Sequence, residues 1–225
     1  MTNKEYAYSE IFYSMQGEGN YTGHATAWLR FFLCNLQCDG FGQKDPTDPS
    51  TYDLPYENVD PNRYNRIEDL PVFERGCDSS YSWSRKFRHL QRKENAYTIA
   101  NKILDTIPNR SFNNNIHMCF TGGEPLMKHA QDASTEIMQV FYDLGQDIPS
   151  VTFETNGTQI LTPAFHEAWE KYQYATELFF SVSPKLWNVA GEKREKAIKP
   201  LVVKQYYDLS PHGQLKFVCN GSEAA

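Results

Sequence analysis

Ala25-Thr26-Ala27-Trp28-Leu29-Arg30-Phe31-Phe32-Leu33-Cys34, continued by Asn35-Leu36-Gln37-Cys38, is the stretch on which the fold turns. Its aromatic and aliphatic residues read as a strand, and a cysteine stands where that strand would feed a loop. Similar apolar runs recur at residues 116–120, 150–154, 178–182 and 215–219, each expected to be a strand. Helical patterns lie between them. Ala96, Ile99, Ala100, Ile103, Leu104 and Ile107 repeat at three- and four-residue spacing up to Pro108. Ile137, Val140, Phe141 and Leu144 share one face of a helix expected over about 133–144, and Thr162-Pro163 reads as an N-cap with proline in the first turn. A third helix is expected over about 192–207, opening with a solvated charge run. This alternation predicts an α/β fold with a mostly parallel sheet and right-handed crossovers.

The 225 residues suit one domain spanning 1–225. A net charge of −6 argues against a broad surface for nucleic acid, and a small-molecule substrate fits better. The chain has no run of 18 apolar residues, and Met1-Thr2-Asn3-Lys4-Glu5-Tyr6 lacks the apolar segment of a signal peptide, so a soluble cytoplasmic protein without a membrane partner is expected. In a reducing compartment its five cysteines favour metal or redox chemistry over disulfides. Cys119 and Cys219, inside apolar runs, are expected in the core. Residues 39–76, with Asp45-Pro46, Asp48-Pro49, Leu54-Pro55, Asp60-Pro61 and Leu70-Pro71, read as a surface excursion: a packed loop, a lid or a dimer contact.

Cys34 and Cys38 begin a CxxxCxxC motif, but Phe41 stands where the third cysteine should fall. If residues 39–76 are an insertion, Cys77 in Gly76-Cys77-Asp78-Ser79-Ser80 completes it. Three thiolates on a [4Fe-4S] cluster leave one iron free to bind the amine and carboxylate of S-adenosylmethionine. A zinc site completed by histidine, or cysteines that merely pack, are the competing readings. Thr121-Gly122-Gly123-Glu124-Pro125, Thr155-Asn156-Gly157-Thr158 and Ser183-Pro184-Lys185 each follow an apolar run, at the strand ends where α/β folds gather their chemistry.

With Ser9-Glu10-Ile11-Phe12-Tyr13-Ser14-Met15-Gln16-Gly17-Glu18-Gly19, Gly23 and Leu29-Arg30 upstream, and Glu154 preceding Thr155-Asn156, the set resembles the 7-carboxy-7-deazaguanine synthases of the radical S-adenosylmethionine superfamily, over about residues 9–219 without the insertion. The resemblance implies a partial (β/α) barrel that contracts a 6-carboxy-tetrahydropterin to 7-carboxy-7-deazaguanine with loss of ammonia, through a deoxyadenosyl radical. It implies that Cys34, Cys38 and Cys77 hold the cluster, while Gly76, Cys77, Asp78, Gly123, Glu124, Ser183, Pro184 and Lys185 lie against S-adenosylmethionine. Met15, Gln16, Gly17, Glu18, Arg30 and Thr121 would meet the pterin, Gln16 and Glu18 along its hydrogen-bonding edge and Arg30 at its carboxylate. Ser79, where the family more usually has threonine, would bind Mg2+. A homodimer and an electron donor such as flavodoxin or ferredoxin are implied as well. The chain stops soon after Lys216-Phe217-Val218, where the family adds a further helix and strand, so the C-terminal end is expected to be short. Another radical enzyme, such as a glycyl-radical activase, and a non-catalytic relative acting as a binding module are the alternatives.

Overall fold

Glu5–Met15 and Ala25–Phe31 form an antiparallel pair, β1 and β2, with Tyr8 opposite Phe31 and Met15 opposite Ala25. The computed structural model describes residues 4–113, 115–219 and 221; the expectations placed on 1–3 and 222–225 lie outside them. β1 was not read as a strand from the sequence, because tyrosine, serine and glutamate interrupt its apolar positions. Tyr6 and Tyr8 nevertheless point into the core and are essentially fully buried.

The remaining strands are β3 (Arg92–Asn95), β4 (His117–Gly122), β5 (Ser150–Thr155), β6 (Glu177–Val182) and β7 (Gly213–Leu215). The sheet runs β3-β1-β2-β4-β5-β6-β7. β3 and β2 flank β1 antiparallel, whereas β2, β4, β5, β6 and β7 are mutually parallel. The fold is therefore α/β with an open, mostly parallel sheet. The C-terminal ends of the parallel strands lie together, and the motifs that follow them are gathered at one edge.

The helices are α1 (Pro55–Asn58), α2 (Ala96–Thr106), α3 (Lys128–Asp143), α4 (Pro163–Tyr172), α5 (Trp187–Ala190), α6 (Arg194–Ala197) and α7 (Pro200–Leu209). Asn95 caps α2 by accepting from Thr98 N, and Thr162 caps α4 by accepting from Phe165 N, as its Thr-Pro start predicts. The helix expected over 192–207 is broken: Pro200 lacks an amide hydrogen, disfavours helix at Lys199 before it, and opens α7 instead. α3 begins five residues before the expected 133.

α2, α3 and α4 pack on the sheet around a core that includes Ile99, Ile103, Phe120, Phe141, Phe153, Phe165 and Trp169. Burial of each such side chain stabilises the fold by about 1.5–3 kcal/mol before entropy is counted. Cys119 is in the core as expected, but Cys219 is exposed. The last strand ends at Leu215, and the chain leaves the sheet before Cys219.

The 39–76 segment is more than a loop. Tyr56, Ile67 and Phe73 bury against Phe87 and Leu90 in a cluster separate from the main core. Two of its three Asp-Pro pairs start short 3-10 turns: Asp48 accepts from Ser50 N and Asp60 from Asn62 N, with proline next in each turn. Among the described residues no helix is long and apolar enough to cross a membrane.

Candidate functional site

Beyond β2 the chain leaves regular structure, with positive φ at Leu33 (88°) and Cys38 (56°). Leu33 N donates to Ser82 O at 2.7 Å, and Leu36 N donates to Cys34 Sγ at 3.4 Å. Gln37 and Cys38 both donate to Glu192 Oε1, at 2.7 and 2.9 Å. The two ends of the insertion meet where Gly76 N donates to Phe41 O at 2.7 Å. That bond carries Cys77 to the neighbourhood of Phe41, the position at which an unbroken motif would have its third cysteine. Cys34, Cys38 and Cys77 all line one cavity of about 400 Å3. They do not converge on a point, for among the described residues no group of three or more His, Cys, Asp or Glu side chains could hold a metal ion.

Burial pushes the Cys34 thiol up to about 12, with the nearby Glu124 carboxyl adding to the effect. Burial likewise raises Cys38 far above the ordinary thiol value, and raises Cys77 against the opposing pull of the Trp83 indole. Lys185 is the cation that favours all three thiolates; it lines the cavity, donates to Ser183 Oγ at 3.1 Å and lies over the Phe41 ring. The indole N–H of Trp28, in the cavity wall, is buried and finds no hydrogen-bond partner among the described residues, whereas that of Trp83 faces the Cys77 thiol.

The Gly122-Gly123-Glu124 turn at the end of β4 is zipped to the exit of β2: Gly123 N donates to Phe31 O and Glu124 N to Leu33 O. A Cβ on Gly123 would stand 2.3 Å from Leu33 O, so only glycine lets the turn approach the cysteine loop this closely. Glu124 itself is wholly buried and lies behind the cavity wall rather than in it. Its Oε1 accepts from Leu126 N and Thr155 Oγ1, and its Oε2 from Asn156 N. The carboxylate thus ties the turn after β4 to the turn after β5. Burial raises its pKa to about 7 despite these three donors.

Of the other residues singled out from sequence, Gln16, Gly17, Glu18, Arg30, Asp78, Ser79, Thr121, Gly123, Ser183 and Lys185 line the cavity. Met15, Gly76 and Pro184 do not; Met15 is exposed, and Gly76 acts through its backbone bond to Phe41. Arg30 donates through Nε to Glu10 at 2.9 Å and through one terminal nitrogen to Ser79 Oγ at 3.0 Å, with Tyr81 beside it. Ser79 in turn donates to Asp78 Oδ1 at 3.0 Å.

The sequence did not single out Glu154 or Lys216 as site residues. Lys216 pairs with Glu18 at 2.6 Å and Glu154 at 3.5 Å, and Gln16 Nε2 donates to Glu154 at 3.1 Å. Burial works against the Lys216 charge, but Glu154 and Glu18 raise its pKa. A polar chain of Glu18, Lys216, Glu154 and Gln16 therefore lines the same cavity as Arg30. Glu154 belongs to a motif that carries the resemblance and Lys216 lies inside an expected strand, but neither signal gave it a role.

No family model matches the chain. It is 28% identical over 136 residues to a 7-carboxy-7-deazaguanine synthase of Methanocaldococcus jannaschii, a match covering 60% of this chain and 42% of that protein. The chain thus spans less than half of that relative's length, and it is similar to it in sequence as its motifs imply. A crystal structure of QueE from Escherichia coli aligns with 96% of this chain and 85% of its own at 18% identity, with a TM-score of 0.44.

Proposed function

We propose that this chain is a radical S-adenosylmethionine enzyme that converts a 6-carboxy-tetrahydropterin to 7-carboxy-7-deazaguanine with release of ammonia. The observation that carries the reading is the return of Cys77, across the insertion, to the cavity that Cys34 and Cys38 line. On that reading the three thiols hold a [4Fe-4S] cluster. The donor set suits one in kind: three soft, buried ligands in the wall of one cavity, each of which would take a different iron, so they need not be grouped around a single ion. Because burial raises all three pKa values, their thiolates need a strong positive partner. When bound, the cluster and S-adenosylmethionine supply the one-electron chemistry that starts the ring contraction, with the electron coming from a donor such as flavodoxin or ferredoxin.

The chain's own side chains bind and orient. Gly122 and Gly123 hold their turn against the exit of β2 and line the cavity, with Ser183 and Lys185 also in its wall, where the methionyl part of the cofactor would lie, and the Trp28 indole offers a donor to the occupants. Glu18, Glu154 and Gln16 present two carboxylates and an amide, the complement of a pterin's donor–acceptor edge. Arg30 keeps donors beyond those given to Glu10 and Ser79, so it can still receive the substrate carboxylate. Ser79 Oγ accepts from the Arg30 guanidinium and donates to Asp78, so it keeps one lone pair, beside the Asp78 carboxylate, for the Mg2+ that the resemblance implies; no step is assigned to the ion.

The test is anaerobic reconstitution of the cluster, addition of reductant, S-adenosylmethionine and 6-carboxytetrahydropterin, and mass spectrometry of the products. Formation of 7-carboxy-7-deazaguanine, lost in Cys77→Ala, is the expected result. Deoxyadenosine without that product points to another radical substrate, and neither compound points to a binding module.

A further inference from the structure

We infer that Glu192 is a positioning residue for the cysteine loop, and that its fixed negative charge biases whatever redox group the three thiols hold. The redox half of this inference rests on the proposed function; the positioning half does not. Glu192 follows α5 and is only 6% exposed. One carboxylate oxygen takes both the Gln37 and Cys38 amides, and the other faces Lys196 Nζ at 3.1 Å. Lys196 is half in solvent, so its neutralising effect is screened.

The loop amides are divided. Leu36 N serves Cys34 Sγ, whereas the next two, which could otherwise turn toward sulfur, are committed to the carboxylate. The commitment explains the backbone at Cys38, whose left-handed φ of 56° is unfavourable for a side chain with a Cβ. Two hydrogen bonds to a charged, buried acceptor outweigh that cost. The approach of α5 to the loop is equally specific: Gly40 N donates to Ala190 O, and a Cβ on Gly40 would stand 2.6 Å from Gly191 N. Glu192 therefore cannot withdraw without moving the loop. Hydrogen bonds to sulfur and positive charge both raise the potential of an iron–sulfur group. A residue that removes the first and supplies the opposite of the second favours a strongly reducing site.

The test uses the full chain with Glu192→Gln, which keeps an acceptor without the charge, and Glu192→Ala, which keeps neither. In metal-free protein, alkylation of Cys38 by iodoacetamide is followed by peptide mass spectrometry. The Gln variant is expected to react within about twofold of wild type, and the Ala variant about tenfold faster or more, for loss of bonds to a charged acceptor. If the Ala variant does not fold, Glu192→Asp, too short to reach both amides, replaces it with the same expectation. In reconstituted protein, the Gln variant is expected to hold wild-type iron but to show a midpoint potential shifted upward in an EPR-monitored titration. Alkylation of the Ala variant at the wild-type rate, or of the Gln variant at the Ala rate, overturns the positioning role. An unmoved potential overturns the electrostatic one. A wild-type chain that takes up no iron defeats the proposed function instead, and the alkylation result then decides the positioning role alone.

Discussion

Substitution of Glu124 by glutamine should change how stability depends on pH, because the carboxyl is wholly buried and its pKa rises from the ordinary 4.5 to about 7. A group raised on folding contributes stability that is complete below its unfolded value and is lost as pH climbs through its folded value. Between about pH 5 and about pH 8 that loss amounts to roughly 2.5 kcal/mol for a shift of this size. Glutamine does not titrate, so the corresponding loss is absent from the variant. It does pay a constant penalty, since its Nε2 would confront the Asn156 N–H that Oε2 now receives, at a cost of about 1–3 kcal/mol. The variant should therefore be the less stable protein near pH 5 and should draw level with or overtake wild type near pH 8. Urea unfolding at a series of pH values measures this directly, because other titrating groups cancel in the difference. Parallel stability profiles for the two proteins would refute the reasoning and mean that the three donors hold Glu124 ionised throughout.

Gly123→Ala should cost about 1–3 kcal/mol in urea unfolding, because the new methyl meets the Leu33 backbone. Gly17→Ala, with nothing within 4 Å, should cost under about 0.5 kcal/mol, and equal effects would contradict the close approach described for the Gly-Gly-Glu turn. Phe87→Ala should remove about 3–5 kcal/mol from the satellite cluster. Limited proteolysis should then cut within 39–76 while the main core stays protected, and uniform protection would count against a separate cluster. Lys216→Met should reduce product formation about tenfold or more by removing an ion pair to two carboxylates in the cavity. Unchanged kinetics would place Lys216 outside the substrate's reach.

What was legible in the sequence were the elements whose burial is expressed locally. α2 and β4 announce themselves because apolar residues recur at the spacing of a helix or fill a short run. β1 escaped because its buried residues are tyrosines, whose polar tips resemble a loop's composition, and its pairing with β2 is non-local. Pro200 is legible as a helix break, although the apolar spacing around it continues as if one helix ran through. The site divides in the same way. Cys77, Gly123 and Lys185 belong to short motifs, whereas Glu192 opens a charge run expected to be solvated and is instead buried, with partners 155 and 154 positions away. Nothing in a single sequence marks such a pairing. Glu124 shows the converse, for its motif pointed to a ligand contact, and only the fold reveals that the carboxylate is spent joining two turns.

The Phe41–Gly76 closure bears on how far the spacing of a cysteine motif can vary. Stretching the spacer between the second and third cysteines from two residues to the 38 found here adds a loop-closure cost of only about 2–3 kcal/mol, since that entropy grows with the logarithm of length. A few buried aromatics in the spacer's own cluster are comparable in size. Thiol spacing along the chain is thus nearly free to drift, while the hydrogen bond at the neck helps return Cys77 to the cavity that Cys34 and Cys38 line. A search that demands constant intervals between cysteines would pass over this chain, and grafting a foreign self-packing module at the same neck should leave the three thiols where they are.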